Sequence, residues 1–160
     1  EDGIRDNIPS LVGSEMCIRD RGTGVRHSEY NASKNAPVHF LQIWIVPERD
    51  GLEPSYQQKT FAEEDKRGRL RLIGSRDGRQ GSIMIHQDVD LYATLLGPDE
   101  AASHHLPTGR GAWVQVVRGR ISVNGEILSA GDGASVVKPG QLHLAGPEAG
   151  GEALLFDLPY

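Results

Sequence analysis

Ala112-Trp113-Val114-Gln115-Val116-Val117-Arg118-Gly119-Arg120-Ile121-Ser122-Val123-Asn124-Gly125 is the stretch whose reading decides the fold. From Ala112 to Arg118 the chain is strongly apolar on alternate positions, the period of a strand with one face turned to a core. Gly119 marks a sharp corner. Arg120 to Asn124 reads as the next strand. Asn124-Gly125 closes it with the strongest hairpin signal in the chain, because both central positions of the favoured two-residue turn need φ > 0. Glu126 to Ser129 pairs back.

The same rhythm continues in both directions. Toward the C-terminus, Gly131-Asp132-Gly133 turns, Ala134 to Val137 is a strand, Lys138-Pro139-Gly140 turns, and Gln141 to Ala145 and Glu152 to Leu158 complete the set. Toward the N-terminus, Ala101 to Leu106 and Asp88 to Leu96 flank the turn Gly97-Pro98-Asp99, and Ser82 to His86 and Arg69 to Ile73 flank Ser75-Arg76-Asp77-Gly78. Tyr56 to Phe61 is a weaker strand, and Ala62 to Arg67 reads as one helical turn or a charged loop. In Val38 to Val46 (VHFLQIWIV) apolar residues fall on both parities, which predicts a strand covered on both faces. Residues 25–30 form the first strand. About ten strands, roughly 8–12 residues apart, give an all-β protein of the sandwich or barrel kind. Trp44 and Trp113 are expected as core anchors, and Arg67, Arg69 and Arg71 as one charged strand edge.

The chain has 160 residues, 38% of them hydrophobic, enough for one domain or for one domain with a remnant. A net charge of −5, with both signs interleaved, points away from a nucleic-acid surface. The single cysteine, Cys17, excludes an internal disulfide and fits a reducing compartment. No stretch approaches a membrane span, and the first twenty residues hold no apolar run of signal-peptide length. A soluble, cytoplasmic protein is expected. Residues 1–20 show no clean period and look like a translated cloning or library leader, expected to be poorly ordered and excluded from the fold argument.

The stretch with the most chemistry is Gly22-Thr23-Gly24-Val25-Arg26-His27-Ser28-Glu29-Tyr30-Asn31. In an extended strand residues i and i+2 share a face, so His27 and Glu29 project together. An imidazole and a carboxylate are ligands that suit Fe, Mn, Ni or Zn. From spacing alone a surface His–Glu pair on an exposed strand is the better reading; the half-motif that this stretch carries reverses that for the parent protein.

Gly24-x2-His27-x3-Asn31 resembles the second half-motif of cupins. GTGVRHSEYN followed by HFLQIWIVPE, then SIMIHQDVDLYATLL, AWVQVVRGRISVNG and LLFDLP, resembles the pirin family over roughly residues 21–160. The resemblance implies a bicupin, two antiparallel barrels in tandem, each a double-stranded β-helix or jelly-roll barrel. Residues 21–55 would be the C-terminal remnant of the first, metal-binding cupin, and residues 56–160 the second cupin. It further implies one Fe(II), or another divalent transition metal, held in the first cupin by three histidines and a glutamate. His27 and Glu29 match the third histidine and the glutamate, and Glu29 is also the expected catalytic proton acceptor. The first two histidines belong to an H-x-H half-motif upstream, and this chain has no histidine before His27. Several bacterial members look like quercetin 2,3-dioxygenases, which cleave a flavonol with O2. A flavonol-like small molecule and O2 are thus the expected partners, with no nucleic acid bound directly. A non-catalytic, regulatory pirin is the alternative, and an inactive fragment is a third reading.

His39 reads as a satisfied core or edge residue and His86 as an exposed or capping one. Ser103-His104-His105 lies where the second cupin would carry its H-x-H, and Pro139-Gly140-Gln141-Leu142-His143 resembles the other half-motif, one residue short. No carboxylate follows His105 at the expected distance; Arg110 and Ala112 stand there. Adjacent histidines turn to opposite faces of a strand, so at most one can join His143. The pattern is that of a degraded metal cupin.

Overall fold

The computed structural model describes residues 15–19, 31, 33–53 and 55–160. Eleven strands, one short helix and one 3-10 turn make up the described chain, so the all-β expectation holds. In order they are β1 (Glu15–Arg19), β2 (Tyr56–Thr60), α1 (Glu63–Lys66), β3 (Arg71–Ser75), the 3-10 turn Arg79–Gly81, β4 (Ile83–Met84), β5 (Asp90–Leu96), β6 (Ala101–Leu106), β7 (Arg110–Val123), β8 (Glu126–Ser129), β9 (Gly133–Val136), β10 (Gly140–Ala145) and β11 (Gly151–Pro159). β1 and β2 form a two-stranded antiparallel sheet. The other nine form one curled sheet in the order β4-β3-β5-β11-β7-β10-β6, with β8 and β9 both paired to β7.

β7 organises that sheet. The two strands read on either side of Gly119 are one bent strand of 14 residues. Its first half pairs with β11 and β9, its second half with β8 and β10. Gly119 makes the bend at φ 68°. A side chain there is excluded twice: the left-handed backbone disfavours it, and a Cβ would overlap the carbonyl oxygen of Gly150, the residue before β11. We expect Gly119→Ala to cost about 2 kcal/mol or more, measured as a lowered urea midpoint; an unchanged midpoint would contradict the corner's role. Asn124 and Gly125 adopt φ 50° and 94°, the double left-handed turn their sequence demands.

The core lies on both faces of β5 and β11, because those strands are apolar on both parities. Leu96, Leu106, Val114, Val116, Ile121, Leu142, Leu144, Ala153 and Leu155 form the barrel interior, joined by the partly buried Tyr92. Phe61, Ile73, Ile85, Val89, Leu91 and Ala93 form a second cluster on the opposite face, joined by Leu154, Phe156 and Leu158.

Four expectations are corrected. Val38 to Val46 forms no strand, and Phe40, Leu41, Ile43, Trp44 and Val46 are exposed, with only Ile45 of that run packed against the second cluster. Strand-forming composition becomes a strand only where a paired neighbour exists, and no described strand pairs there. Trp44 and Trp113 are not core anchors: they are 69% and 41% exposed. Trp113 instead lies on the outer face of β7, against Gly133, whose missing Cβ leaves room for the indole. Residues 15–19, inside the segment expected to be poorly ordered, form β1. The three arginines do not share an edge. Arg67 pairs with Glu63, Arg69 donates to the Glu64 carbonyl, and Arg71 donates to the Gln80 carbonyl while its guanidinium lies 5.6 Å from the Phe61 ring centre.

Candidate functional site

The polar group built into the second barrel centres on Asp157. Along β11, Ala153 and Leu155 face the barrel interior, and strand alternation turns Asp157 the same way. Along β6, Ala102, His104 and Leu106 share the inward face. His104 Nε2 meets Asp157 Oδ2 at 2.7 Å, and its ring lies 5.1 Å from that of Tyr92. Arg110 Nε donates to Asp157 Oδ1 at 2.6 Å, and Arg110 Nη2 to the Asp157 main-chain oxygen at 2.9 Å. Arg110 Nη1 reaches Asp88 Oδ1 at 2.8 Å.

This geometry sets the charges. Burial alone would raise the Asp157 pKa, but the hydrogen bonds from His104 and Arg110 outweigh it and hold the carboxyl below its ordinary range. Burial would lower that of Arg110, yet Asp157 and Asp88 raise it further. Burial, assisted by the negative charges of Asp90 and Asp157, pushes the Tyr92 hydroxyl up. Both carboxylate oxygens of Asp157 are thus engaged, one of them by a permanent cation.

The outward face of the same strands carries the other histidines. β6 and β10 pair antiparallel with Ser103 opposite His143, His104 opposite Leu142 and His105 opposite Gln141. Ser103, His105, Gln141 and His143 are exposed, whereas Leu142 is buried. Ser103 Oγ lies 3.0 Å from His143 Nδ1. The two half-motifs are therefore split across the sheet: His104 points in and His143 points out. His105 is the histidine that shares the face of His143.

The described residues do not build a cupin-type metal centre of three or more ligands. Among them no group of three or more His, Cys, Asp or Glu is placed to hold one. At the one interior histidine, a divalent cation would have to displace the guanidinium of Arg110 from the carboxylate it needs. His27 and Glu29 lie outside the described residues. His39 is exposed and His86 half-buried. The residue that sequence reasoning missed is Asp157, which stands 53 positions from the histidine it binds. One signal could have found it: a lone acid in the apolar run Leu154-Leu155-Phe156-Asp157-Leu158, on the parity of buried residues.

Comparison with known proteins gives a consistent picture. The family model described as quercetinase C-terminal cupin domain matches residues 72–158. A protein of Escherichia coli K12 named quercetin 2,3-dioxygenase is 39% identical over 158 residues, which is 98% of this chain and 65% of that protein. A putative quercetin 2,3-dioxygenase of Pasteurella multocida is 34% identical over 154 residues, 95% of this chain and 64% of that protein. The crystal structure of YhhW from E. coli superposes with a TM-score of 0.84 at 38% identity, covering 93% of this chain and 62% of that one. A second structure, of the bacterial pirin YhhW in complex with nickel(II), gives 0.81 at 41% identity, covering 91% and 61%. The chain thus spans about 65% of the length of the curated E. coli relative. The curled sheet is a cupin. No helix among the described residues is long and apolar enough to cross a membrane.

Proposed function

The chain belongs to the pirin family, matching the quercetinase C-terminal cupin domain, and on that premise we propose that it serves a quercetin 2,3-dioxygenase. The substrate is a flavonol-like small molecule, cleaved with O2. In this reading residues 21–55 are part of a metal-binding cupin and residues 56–160 are its scaffold. His27 and Glu29 are metal ligands, Glu29 doubles as the proton acceptor for the flavonol 3-hydroxyl, and Fe(II) is the metal. The name of the E. coli relative and the nickel-bound pirin support a divalent metal in the family. We place the protein in the cytoplasm, in keeping with its single cysteine.

One observation carries this assignment of labour. The guanidinium of Arg110 sits on the carboxylate that holds His104. The interior of the second barrel is closed to metal at His104, which supports assigning the catalytic metal of this reading to His27 and Glu29. The role of the second barrel is then to support the metal-binding one, with its own interior charges spent on each other.

The test is metal content after equilibration with Fe(II) and gel filtration. His27→Ala and Glu29→Gln should each lower the bound iron, whereas Arg110 and Asp157 should not contribute ligands. Iron content unchanged in both variants would overturn the ligand assignment. Loss of quercetin absorbance under air, with Fe(II) or Mn(II) added, tests turnover separately. Turnover abolished by Glu29→Gln supports the dioxygenase reading; turnover indifferent to both residues defeats it.

A further inference from the structure

We propose that His105 and His143 form a divalent-metal site on the outer face of the second barrel, distinct from the His27 and Glu29 set. The ligand class is a borderline transition-metal ion that favours imidazole, with Cu(II) bound most tightly and Ni(II) or Zn(II) more weakly.

The register is the first support. His143 lies opposite Ser103, and His105 lies opposite Gln141 on the next outward pair. His105 and His143 are therefore diagonal neighbours on adjacent antiparallel strands. Cβ atoms in such a pair are at most roughly 7–8 Å apart, within reach of long side chains. Two imidazoles can then meet one ion at the usual metal–nitrogen distance of about 2.0–2.1 Å.

The second support is how His143 is held. Its Nδ1 lies 3.0 Å from Ser103 Oγ, and its backbone N–H donates to Asn124 Oδ1 at 2.9 Å. In the tautomer that carries its proton on Nδ1, the ring donates to Ser103 Oγ and the Nε2 lone pair is left for an ion, so metal binding selects that tautomer. A hydrogen bond on the other ring nitrogen is the usual means of fixing a ligating histidine's tautomer and orientation.

The third support is local charge. Across β7 the residues facing this part of β10 are Ser122, paired with Ala145, and Asn124. With Ser103 and Gln141 these give an uncharged polar setting, so no lysine or arginine at those positions repels a cation. The interior histidine, His104, faces the opposite condition because Arg110 shares its carboxylate.

An ion here would tie β6 to β10, two strands far apart in sequence, and so stabilise the folded barrel. The test uses the full 160-residue chain titrated with Cu(II) by isothermal calorimetry, with electron paramagnetic resonance as the structural readout. We expect micromolar binding and a signal showing two nitrogen donors. His105→Ala and His143→Ala should each weaken Cu(II) binding at least tenfold and remove one nitrogen, with the circular dichroism unchanged. Ser103→Ala should weaken it several-fold, with every titration run in the His27→Ala background so that the ligands of the Fe(II) reading take up no Cu(II). Unchanged affinity in both His105→Ala and His143→Ala overturns the proposal, as does the absence of any Cu(II) binding in the His27→Ala background. That background also separates this site from the Fe(II) reading above, since each can fail without the other.

Discussion

Asp157→Ala is expected to lower stability by about 3–5 kcal/mol, the range for removing one partner of a buried ion pair. The side chain is 7% exposed and accepts from both His104 and Arg110. Its loss strands an imidazole against the barrel core and leaves Arg110 with only the exposed Asp88 carboxylate and the main-chain oxygen of residue 157. Chemical denaturation followed by tryptophan fluorescence measures the effect. A loss under about 1 kcal/mol would mean that the group is solvated and behaves as a surface pair. Replacing His104, Arg110 and Asp157 together with apolar residues of similar volume should cost far less than the single change, because desolvation of the whole group is then relieved.

Glu152→Ala should cost a comparable ~3–5 kcal/mol. The Lys66 side chain is 3% exposed, and its ammonium meets Glu152 Oε1 at 2.8 Å. Arg118 Nη2 reaches Oε2 at 2.6 Å, but that side chain is 62% exposed and adds little. The cost comes from leaving the buried ammonium without this carboxylate. Glu152→Gln keeps the shape and loses the charge, so it should recover only part of the stability.

The pH dependence follows with a definite sign. Burial would raise the Glu152 carboxyl, but hydrogen bonds and charge from Lys66 and Arg118 prevail and hold it below its ordinary value. Asp157 is displaced the same way. A carboxyl whose folded pKa is depressed binds its proton more weakly in the native state. Its stabilisation is complete above the unfolded value, near pH ~4, and is lost as the pH falls through the folded one. Both single variants should flatten the acid limb of the stability curve; a limb as steep as in the parent protein would refute the link.

Much of the fold is legible without coordinates, and for a local reason. Alternation in Ala112–Arg118 reports which side of a pleat each residue occupies. Gly119 and Asn124-Gly125 report backbone angles that other residues rarely adopt. These are short-range steric facts, so the strand, corner and hairpin of β7 and β8 appear where the residues require them. The candidate site was legible only in part. His104 and His105 had to diverge, because neighbours on a strand always do, yet which of them faces inward depends on the register of β6 against β10.

Tertiary structure decided the pairings. Asp157 reaches His104 because β11 and β6 line one barrel interior, and no spacing rule connects residues so far apart. Arg110 and Lys66 are committed to buried carboxylates for the same reason. Trp113 and the run from Phe40 to Val46 carry every compositional mark of burial but remain largely exposed, since hydrophobicity states a preference and only a facing surface can satisfy it. From Arg69 onward the amino-acid order by itself determined where the chain extends and where it turns; the packing of distant strands determined which charges meet, because that choice is made by neighbours in space and not along the chain.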